Sequence, residues 1–199
     1  KGDKQDPGNY RPVSLTSILC KLFEGFIRDS LNNHLLENNL LSVHQDGFTS
    51  GRSCITQLLS TVNDWLIDLD NSNSVDAIYL DLMKAFDTVP HLRLITKLKG
   101  YGIDDNLLDW IKDFLSNRFQ YVKVGCSVSD VSDVTSGVPQ GSVLGPTLFI
   151  YYINDMPDVL DCLIKIFADD TKIYSTVNNG SDALALQPNL HKLLDWSQQ

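Results

Sequence analysis

The sequence predicts an α+β fold in which helices cover a small antiparallel sheet. Most of the chain carries apolar residues at the three- and four-residue spacing of helices, whereas only a few short runs alternate as strands do. Two of those runs lead into acidic residues, which makes the predicted sheet a candidate for a functional site. The chain has 199 residues, of which 43% are hydrophobic, enough for a sizeable core.

The first half predicts two helices and then a strand. After a polar, turn-rich opening at residues 1–12, apolar residues recur at helical spacing from Leu15 to Leu36. A loop with two glycines follows at residues 45–52. Ser53 is then a suitable N-cap for a second helix, which carries apolar residues from Ile55 to Leu69. The short apolar run at residues 75–80 predicts a strand that ends at Asp81.

The second half predicts further helices and two hairpins. In order, we expect helices over residues 92–99 and 104–116, a hairpin over 119–124 and 128–134, a glycine-containing loop over 135–142, a helix over 145–154, a hairpin over 163–167 and 171–174, and a final helix with Pro188 near or inside it.

Asp169 and Asp170 occupy the predicted turn of the second hairpin. Neighbouring carboxylates repel each other, so a cation would stabilise them, although the pair taken alone favours an ordinary solvated turn. Asp81 lies at the end of another predicted strand. If the two strands are neighbours in one sheet, their carboxylates can converge on Mg²⁺, which binds to one or two carboxylates together with substrate phosphates.

Charge and composition limit the classes of function. Sixteen basic and 25 acidic residues give a net charge of −9, the wrong sign for a free-standing nucleic-acid binder, which suggests that a basic portion is missing. The longest apolar stretch, residues 148–153, is too short to span a bilayer, so we expect no membrane association. Four cysteines without metal-site spacing favour free thiols and an intracellular location, nucleus or cytoplasm.

Three motifs resemble those of reverse transcriptases. Residues 78–91, Ile-Tyr-Leu-Asp-Leu-Met-Lys-Ala-Phe-Asp-Thr-Val-Pro-His, resemble the first catalytic motif of that family. Residues 136–146, Ser-Gly-Val-Pro-Gln-Gly-Ser-Val-Leu-Gly-Pro, resemble the second, and residues 167–170, Phe-Ala-Asp-Asp, the third. Together with Asn-Tyr-Arg-Pro-Val-Ser-Leu at 9–15 and Gln-Asp-Gly-Phe at 45–48, the resemblance narrows to non-LTR retrotransposons of the LINE type.

This resemblance implies a right-hand polymerase that copies RNA into DNA. Residues 1–75 would form mainly the fingers and residues 76–199 mainly the palm with some fingers elements. The partners would be an RNA template, a DNA primer and deoxynucleoside triphosphates. The cofactors would be two Mg²⁺ ions, with Mn²⁺ as an alternative, which would activate the primer 3′ hydroxyl and hold the triphosphate.

The resemblance also assigns roles to individual residues. Asp81, Asp169 and Asp170 would be the catalytic, metal-binding carboxylates, with Asp81 and Asp169 the most direct ligands. Phe86 would exclude a ribose 2′-hydroxyl, although its pattern alone favours a core residue.

Four other residues would contact the nucleotide. Gln140 and Gly141 would line its pocket, although Val-Pro-Gln-Gly at 138–141 is also an ordinary turn sequence. Arg11 would meet the triphosphate, as a guanidinium suits phosphate oxygens. Arg52 would line the same pocket, and a solvated arginine explains it nearly as well.

Departures from the family pattern leave alternatives open. Thr49 stands where the fingers motif usually has arginine, Met83 replaces a small polar residue, and the chain stops where the family continues to the thumb. The accompanying endonuclease is also absent from the sequence. A decayed or repurposed copy that acts as a binding module, and another palm-fold enzyme such as an RNA-templated RNA polymerase or a nucleotide cyclase, therefore remain alternatives.

Overall fold

The computed structural model describes residues 3, 5, 10–179 and 182–198, and these residues form six α-helices and seven strands. The helices are α1 (Ile18–Glu37), α2 (Cys54–Asp70), α3 (His91–Gly100), α4 (Asp105–Leu115), α5 (Gly145–Ile153) and α6 (Leu186–Gln198). The strands are β1 (Ser74–Asp81), β2 (Phe119–Gln120), β3 (Lys123–Val124), β4 (Ser127–Val128), β5 (Ser132–Asp133), β6 (Leu163–Phe167) and β7 (Asp170–Val177).

The predicted mixture of helices with small antiparallel sheets is confirmed, and the predicted elements are present with small shifts of their ends. Ser53 caps α2 in a reciprocal capping box with Thr56. Pro188 lies in the first turn of α6, where helical N–H groups have no partner to lose. Most of the predicted turn-rich opening, with the motif residue Asn9, lies outside the described residues. Among the described residues, no helix is both long and apolar enough to cross a membrane.

The chain forms two compact units, each built from two separate segments: Lys1–His34 with Lys84–Tyr151, and Leu35–Met83 with Tyr152–Gln199. We call the first the loop unit, because it contains the glycine-containing loop at 135–142. We call the second the sheet unit, because it contains the three-stranded sheet.

The sheet unit is organised around a sheet with the strand order β1-β7-β6, antiparallel throughout. Since side chains alternate across a strand, Ile164, Ile166 and Ile173 share one face, and all three are almost fully buried. The opposite face carries the polar residues Lys172 and Tyr174. One face of the sheet therefore belongs to the apolar core, while the other carries Lys172 and Tyr174, which are buried on the central strand β7.

Helix α2 covers this polar face with a polar stripe of its own. The hydroxyl of Tyr174 donates to Asp64 at 2.6 Å, and the hydroxyl of Thr176 donates to Asp68 at 3.0 Å. The ring of Trp65 meets that of Tyr174 edge-on, with centroids 6.1 Å apart. Because the polar stripe faces the sheet, most apolar residues of α2 are exposed, namely Ile55, Leu58, Leu59, Val62, Leu66, Ile67 and Leu69.

The loop unit contains most of α1 together with α3, α4, most of α5 and the first predicted hairpin. That hairpin is split, because only β2–β5 and β3–β4 pair, each over two residues. The core of this unit is apolar, with the fully or nearly fully buried side chains Leu31, Val89, Leu94, Leu98, Ile111, Leu115, Leu144, Leu148, Phe149 and Tyr151. The buried carboxylate of Glu24 accepts hydrogen bonds from the backbone N–H groups of Val143 and Leu144 just before α5.

Candidate active site

The acidic residues of the sheet unit meet where β1 ends and β7 begins. Strands β1 and β7 are antiparallel neighbours, and their register places Asp81 directly opposite Asp170. Directly opposed residues of an antiparallel pair point to the same face, with Cα atoms about 4.5–5.5 Å apart. Asp169 lies in the turn directly before Asp170, which was predicted to lie in the turn but is the first residue of β7. The expectation that the two strands are neighbours is therefore confirmed, and the three carboxylates belong to one end of the sheet.

The side chains of these acids have no hydrogen-bond or ion-pair partner in the described part of the chain. No described residue donates a hydrogen bond to Asp81, Asp169 or Asp170, and none forms an ion pair with them. Asp81 and Asp170 are exposed and Asp169 is half-buried. Since like charges directly opposite each other destabilise a sheet, this end of the sheet is suited to a cation that would screen them.

The donor set fits a hard divalent cation that shares its coordination with a substrate. Carboxylate oxygens are the preferred protein ligands of Mg²⁺, which keeps several waters or phosphate oxygens in addition. Among the described residues, no three Asp, Glu, His or Cys side chains form a ready-made metal cage. The acids would therefore supply only part of the coordination.

A tight turn carries Asp169. Phe167 and Asp170 are the last paired residues of β6 and β7, so Ala168 and Asp169 form a two-residue loop. Ala168 has a φ of 57°, a left-handed conformation that favours glycine. The turn is therefore held in a conformation that its own sequence does not favour.

A buried cation lies on the polar face close to this end. Lys172 is 7% exposed, and its ammonium contacts the hydroxyl of Thr61 at 3.4 Å. Burial lowers the pKa of Lys172, while the carboxylates of Asp46 and Asp170 act in the opposite direction.

Four of the predicted nucleotide contacts lie in the loop unit, namely Arg11 and the three residues Phe86, Gln140 and Gly141. The ring of Phe86 is half-buried and stacks on the core residue Phe149, with centroids 4.3 Å apart. The amide nitrogen of Gln140 donates to the carboxylate of Asp87 at 2.7 Å. Gly141 has a φ of 91°, and a Cβ there would lie 3.0 Å from the carbonyl oxygen of Ser14.

Backbone bonds join the first and second motifs within this unit. The N–H of Gly137 donates to the carbonyl of Val89 at 2.8 Å, and that of Val138 donates to the carbonyl of Phe86 at 2.8 Å. The structure thus brings Phe86 and Gln140 together on adjoining segments. Sequence reasoning missed Asp87, which holds Gln140. Asp87 directly follows Phe86 in the first motif, and this position could have indicated that it belongs to the site.

The two predicted arginines differ in their surroundings. Arg11 is exposed on the irregular segment that leads to Ser14, and the N–H of Ser14 donates to the carbonyl of Gln140 at 2.7 Å. Arg52 belongs to the sheet unit, where its Nη1 contacts the carbonyl of Val43 at 2.6 Å and the carboxylate of Asp46 at 3.1 Å. Arg52 thus organises its own loop, whereas its contact with a nucleotide stays a prediction.

A second residue missed by sequence reasoning touches the turn itself. The side-chain oxygen of Gln45 accepts a hydrogen bond from the N–H of Ala168 at 3.0 Å. The motif Gln-Asp-Gly-Phe at 45–48 drew attention to this glutamine, but no local pattern predicts a contact across 123 residues of sequence.

Comparison with known proteins identifies relatives over almost the whole chain. A family model described as "Reverse transcriptase (RNA-dependent DNA polymerase)" matches residues 2–199. The chain is 34% identical over 211 residues to the "Probable RNA-directed DNA polymerase from transposon BS" of Drosophila melanogaster, which covers 98% of the chain and 22% of that relative. It is 34% identical over 202 residues to the "RNA-directed DNA polymerase from mobile element jockey" of the same species, with the same coverage.

Two solved structures with a similar fold are telomerases. Apo telomerase from Candida tropicalis, truncated from its C-terminal domain, has a TM-score of 0.57 at 15% identity, covering 86% of this chain and 36% of that one. Telomerase from Candida albicans, with a fragment of telomeric RNA, has a TM-score of 0.55 at 14% identity, covering 89% and 31%. At this identity the likeness concerns the fold alone. The chain spans about a fifth of the length of its fly relatives.

Proposed function

Because the chain belongs to the reverse transcriptase family, with relatives among non-LTR retrotransposons, we propose that it is the catalytic part of an enzyme that extends a DNA primer on an RNA template. The substrates are deoxynucleoside triphosphates. The names of the fly relatives support this choice of template and product.

The observation that carries the proposal is the acidic end of the sheet. Asp81 and Asp170 oppose each other across β1 and β7, Asp169 lies in the adjoining turn, and none has a hydrogen-bond or ion-pair partner among the described residues. We assign these three carboxylates to two Mg²⁺ ions, or Mn²⁺. When bound, such ions favour deprotonation of the primer 3′ hydroxyl and stabilise the charge on the triphosphate. The protein's part is to hold negative charge in position.

The remaining assignments follow the motifs. We propose that residues 1–75 form mainly fingers and residues 76–199 mainly palm with some fingers elements. The likeness to telomerase in fold supports a polymerase hand. Phe86 discriminates against ribonucleotides, while Arg11, Arg52, Gln140 and Gly141 contact the nucleotide. The constrained φ of Gly141 and the hydrogen bond from Gln140 to Asp87 support a fixed position for the residues of this loop.

Primer extension tests the function. We expect the full-length protein encoded by the reading frame around this chain to add deoxynucleotides to a DNA primer on RNA, with a strict requirement for Mg²⁺ or Mn²⁺. Asp169→Ala should lower the rate at least about a hundredfold, because a metal ligand is lost. Asp76→Ala changes an exposed acid of β1 that opposes Ser175, so it should keep the wild-type rate. A wild-type rate in Asp169→Ala would contradict the assignment.

Sugar selectivity separates this function from that of an RNA-templated RNA polymerase. We expect wild type to prefer deoxynucleotides, and Phe86→Val to reduce that preference about tenfold because the ring no longer occupies the space of a 2′-hydroxyl. Phe119→Val removes a ring that is 67% exposed on the split hairpin and serves as the control. Equal use of both sugars by wild type would favour the RNA polymerase.

A further inference from the structure

We propose that Gln45 is a positioning residue that fixes the turn carrying Asp169. This inference rests on the proposed function, since the turn matters because Asp169 is assigned to metal binding. Gln45 is 1% exposed, and its side-chain oxygen accepts from two backbone N–H groups, those of Gly47 at 2.7 Å and Ala168 at 3.0 Å. One amide oxygen therefore joins the loop at 45–48 to the turn at 168–169.

The backbone of the same loop is paired with β6. The N–H of Ile166 donates to the carbonyl of His44 at 2.9 Å, and the N–H of Asp46 donates to the carbonyl of Ile166 at 2.9 Å. Strand β6 lies at the edge of the sheet, with β7 on one side. Gln45 forms a parallel bridge with Ile166 on the other side of β6. This pairing delivers the Gln45 side chain to the residue that begins the turn.

The loop is itself held at several points. Arg52 contacts the carbonyls of Val43 and Gln45, and the hydroxyl of Thr49 lies 3.3 Å from the Gln45 carbonyl. The side chain of Asn154 accepts from Ser42 at 2.8 Å. Because the loop is held at these points, its Gln45 side chain can hold the turn in one position.

Gly47 lies so close to the turn that a larger residue would not fit at its position. A Cβ on Gly47 would lie 2.2 Å from the backbone nitrogen of Ala168. Because Ala168 adopts a left-handed φ of 57°, which costs an L-residue free energy, the turn needs external contacts to keep this conformation. The Gln45 oxygen, which binds the N–H of this same residue, is such a contact.

The chemistry of Gln45 allows a sharp test. Its Nε2 is buried and has no hydrogen-bond partner among the described residues, so only the oxygen acts on the turn. Gln45→Met keeps the size of the side chain and removes the acceptor, while Gln45→Glu keeps an acceptor oxygen. Gln57→Met makes the same change at another buried glutamine of the sheet unit, in α2, and is the matched control.

Hydrogen exchange of the Ala168 amide reads the proposed contact directly. In the full-length protein, we expect this amide to exchange about tenfold faster in Gln45→Met, because its acceptor is gone. Protection should return largely in Gln45→Glu and stay unchanged in Gln57→Met. Unchanged exchange in Gln45→Met, or equal loss in Gln57→Met, would overturn the proposal.

Primer extension by the same variants measures how the contact affects catalysis. We expect kcat of Gln45→Met to fall about 10- to 100-fold while KM for the primer–template stays the same, since Gln45 acts on the turn that holds a ligand. Gln45→Glu should recover most of kcat. Faster exchange with an unchanged kcat would overturn the positioning role. A wild type without metal-dependent polymerisation would refute the proposed function, and the exchange data would still decide whether Gln45 fixes the turn.

Discussion

At the scale of single residues, the opposed carboxylates of Asp81 and Asp170 lower the stability of the sheet and are suited to binding a cation. A sheet is stabilised by complementary cross-strand pairs, and like charges at opposed positions weaken it. Natural sequences keep such local conflicts mainly at functional sites. The pair therefore predicts that stability and activity respond in opposite directions to the loss of one charge.

We expect Asp81→Asn to raise the free energy of unfolding in EDTA by about 0.5 kcal/mol, because repulsion from Asp170 is removed. Added Mg²⁺ or Mn²⁺ should stabilise wild type more than the variant, since binding to the folded state adds to its stability. Denaturant unfolding with and without metal measures both effects. Asp76→Asn, opposite Ser175, should show neither. A variant less stable than wild type in EDTA would contradict the interpretation.

The sequence predicted part of this site. Alternating runs and acids at their ends were sufficient to expect that Asp81 and the Asp169–Asp170 turn share one end of a sheet. The register, which opposes Asp81 to Asp170, was not predictable because cross-strand alignment depends on contacts far apart in sequence. The contact of Gln45 with Ala168 was hidden for the same reason.

At the scale of elements, segments 84–89 and 136–141 are joined closely enough to require glycine. Gly137 has a φ of 84°, and a Cβ there would lie 2.5 Å from the carbonyl oxygen of Asp87. The hydroxyl of Ser136 donates to that same oxygen at 2.9 Å. The conformation of the second motif therefore requires a residue without a side chain at position 137.

We expect Gly137→Ala to lower the free energy of unfolding by more than about 2 kcal/mol, because the backbone of Asp87 cannot move aside cheaply and the φ is unfavourable. Gly25→Ala is the control. Gly25 lies inside α1 with no atom within 4 Å of an added Cβ, so the substitution should stabilise by up to about 1 kcal/mol. Equal effects of the two substitutions, measured by denaturant unfolding, would refute this explanation.

The interface between α2 and the sheet predicts a dependence on alkaline pH. Burial and the hydrogen bond to Asp64 raise the pKa of Tyr174 above its ordinary value of about 10. The folded state therefore keeps a proton that the unfolded chain loses above about pH 10. The contribution of Tyr174 to stability is complete below that pH and declines as the pH rises further.

We expect Tyr174→Phe to lower the free energy of unfolding by about 1–2 kcal/mol at pH 8, since Asp64 loses a donor. The difference in free energy of unfolding between wild type and the variant should narrow above about pH 10, because the contribution of Tyr174 to stability declines there. Tyr79→Phe, at a position 69% exposed on β1, should have neither effect. A difference that widens with pH would show that the assigned direction of the shift is wrong.

Which surface of α2 meets the sheet was not predictable from periodicity. The apolar residues from Ile55 to Leu69 indicated a helix, and α2 follows that range closely. Its inward stripe is instead polar, with Thr61, Asp64 and Asp68 bonded to the sheet. A helical pattern predicts that a helix forms, whereas its orientation depends on the partner face.

At the scale of the whole molecule, the family and the acidic end of the sheet point to the same chemistry. Sequence reasoning identified the family from motifs that cover nearly the whole chain, and the family match over residues 2–199 confirms it. It expected fingers and palm as consecutive regions, and that division stays a prediction. The compact units are each assembled from two separate segments, an arrangement that depends on tertiary contacts.

Iron-directed cleavage tests most directly whether these acids bind divalent ions. Fe²⁺ replaces Mg²⁺ at oxygen sites, and with ascorbate and peroxide it cuts the nearby backbone. In the full-length protein with primer–template and a deoxynucleotide, we expect cuts beside Asp81 and at residues 168–170, suppressed by excess Mg²⁺ and lost in Asp169→Asn. Cuts elsewhere only, or the same cuts in Asp169→Asn, would contradict the assignment of the metal site.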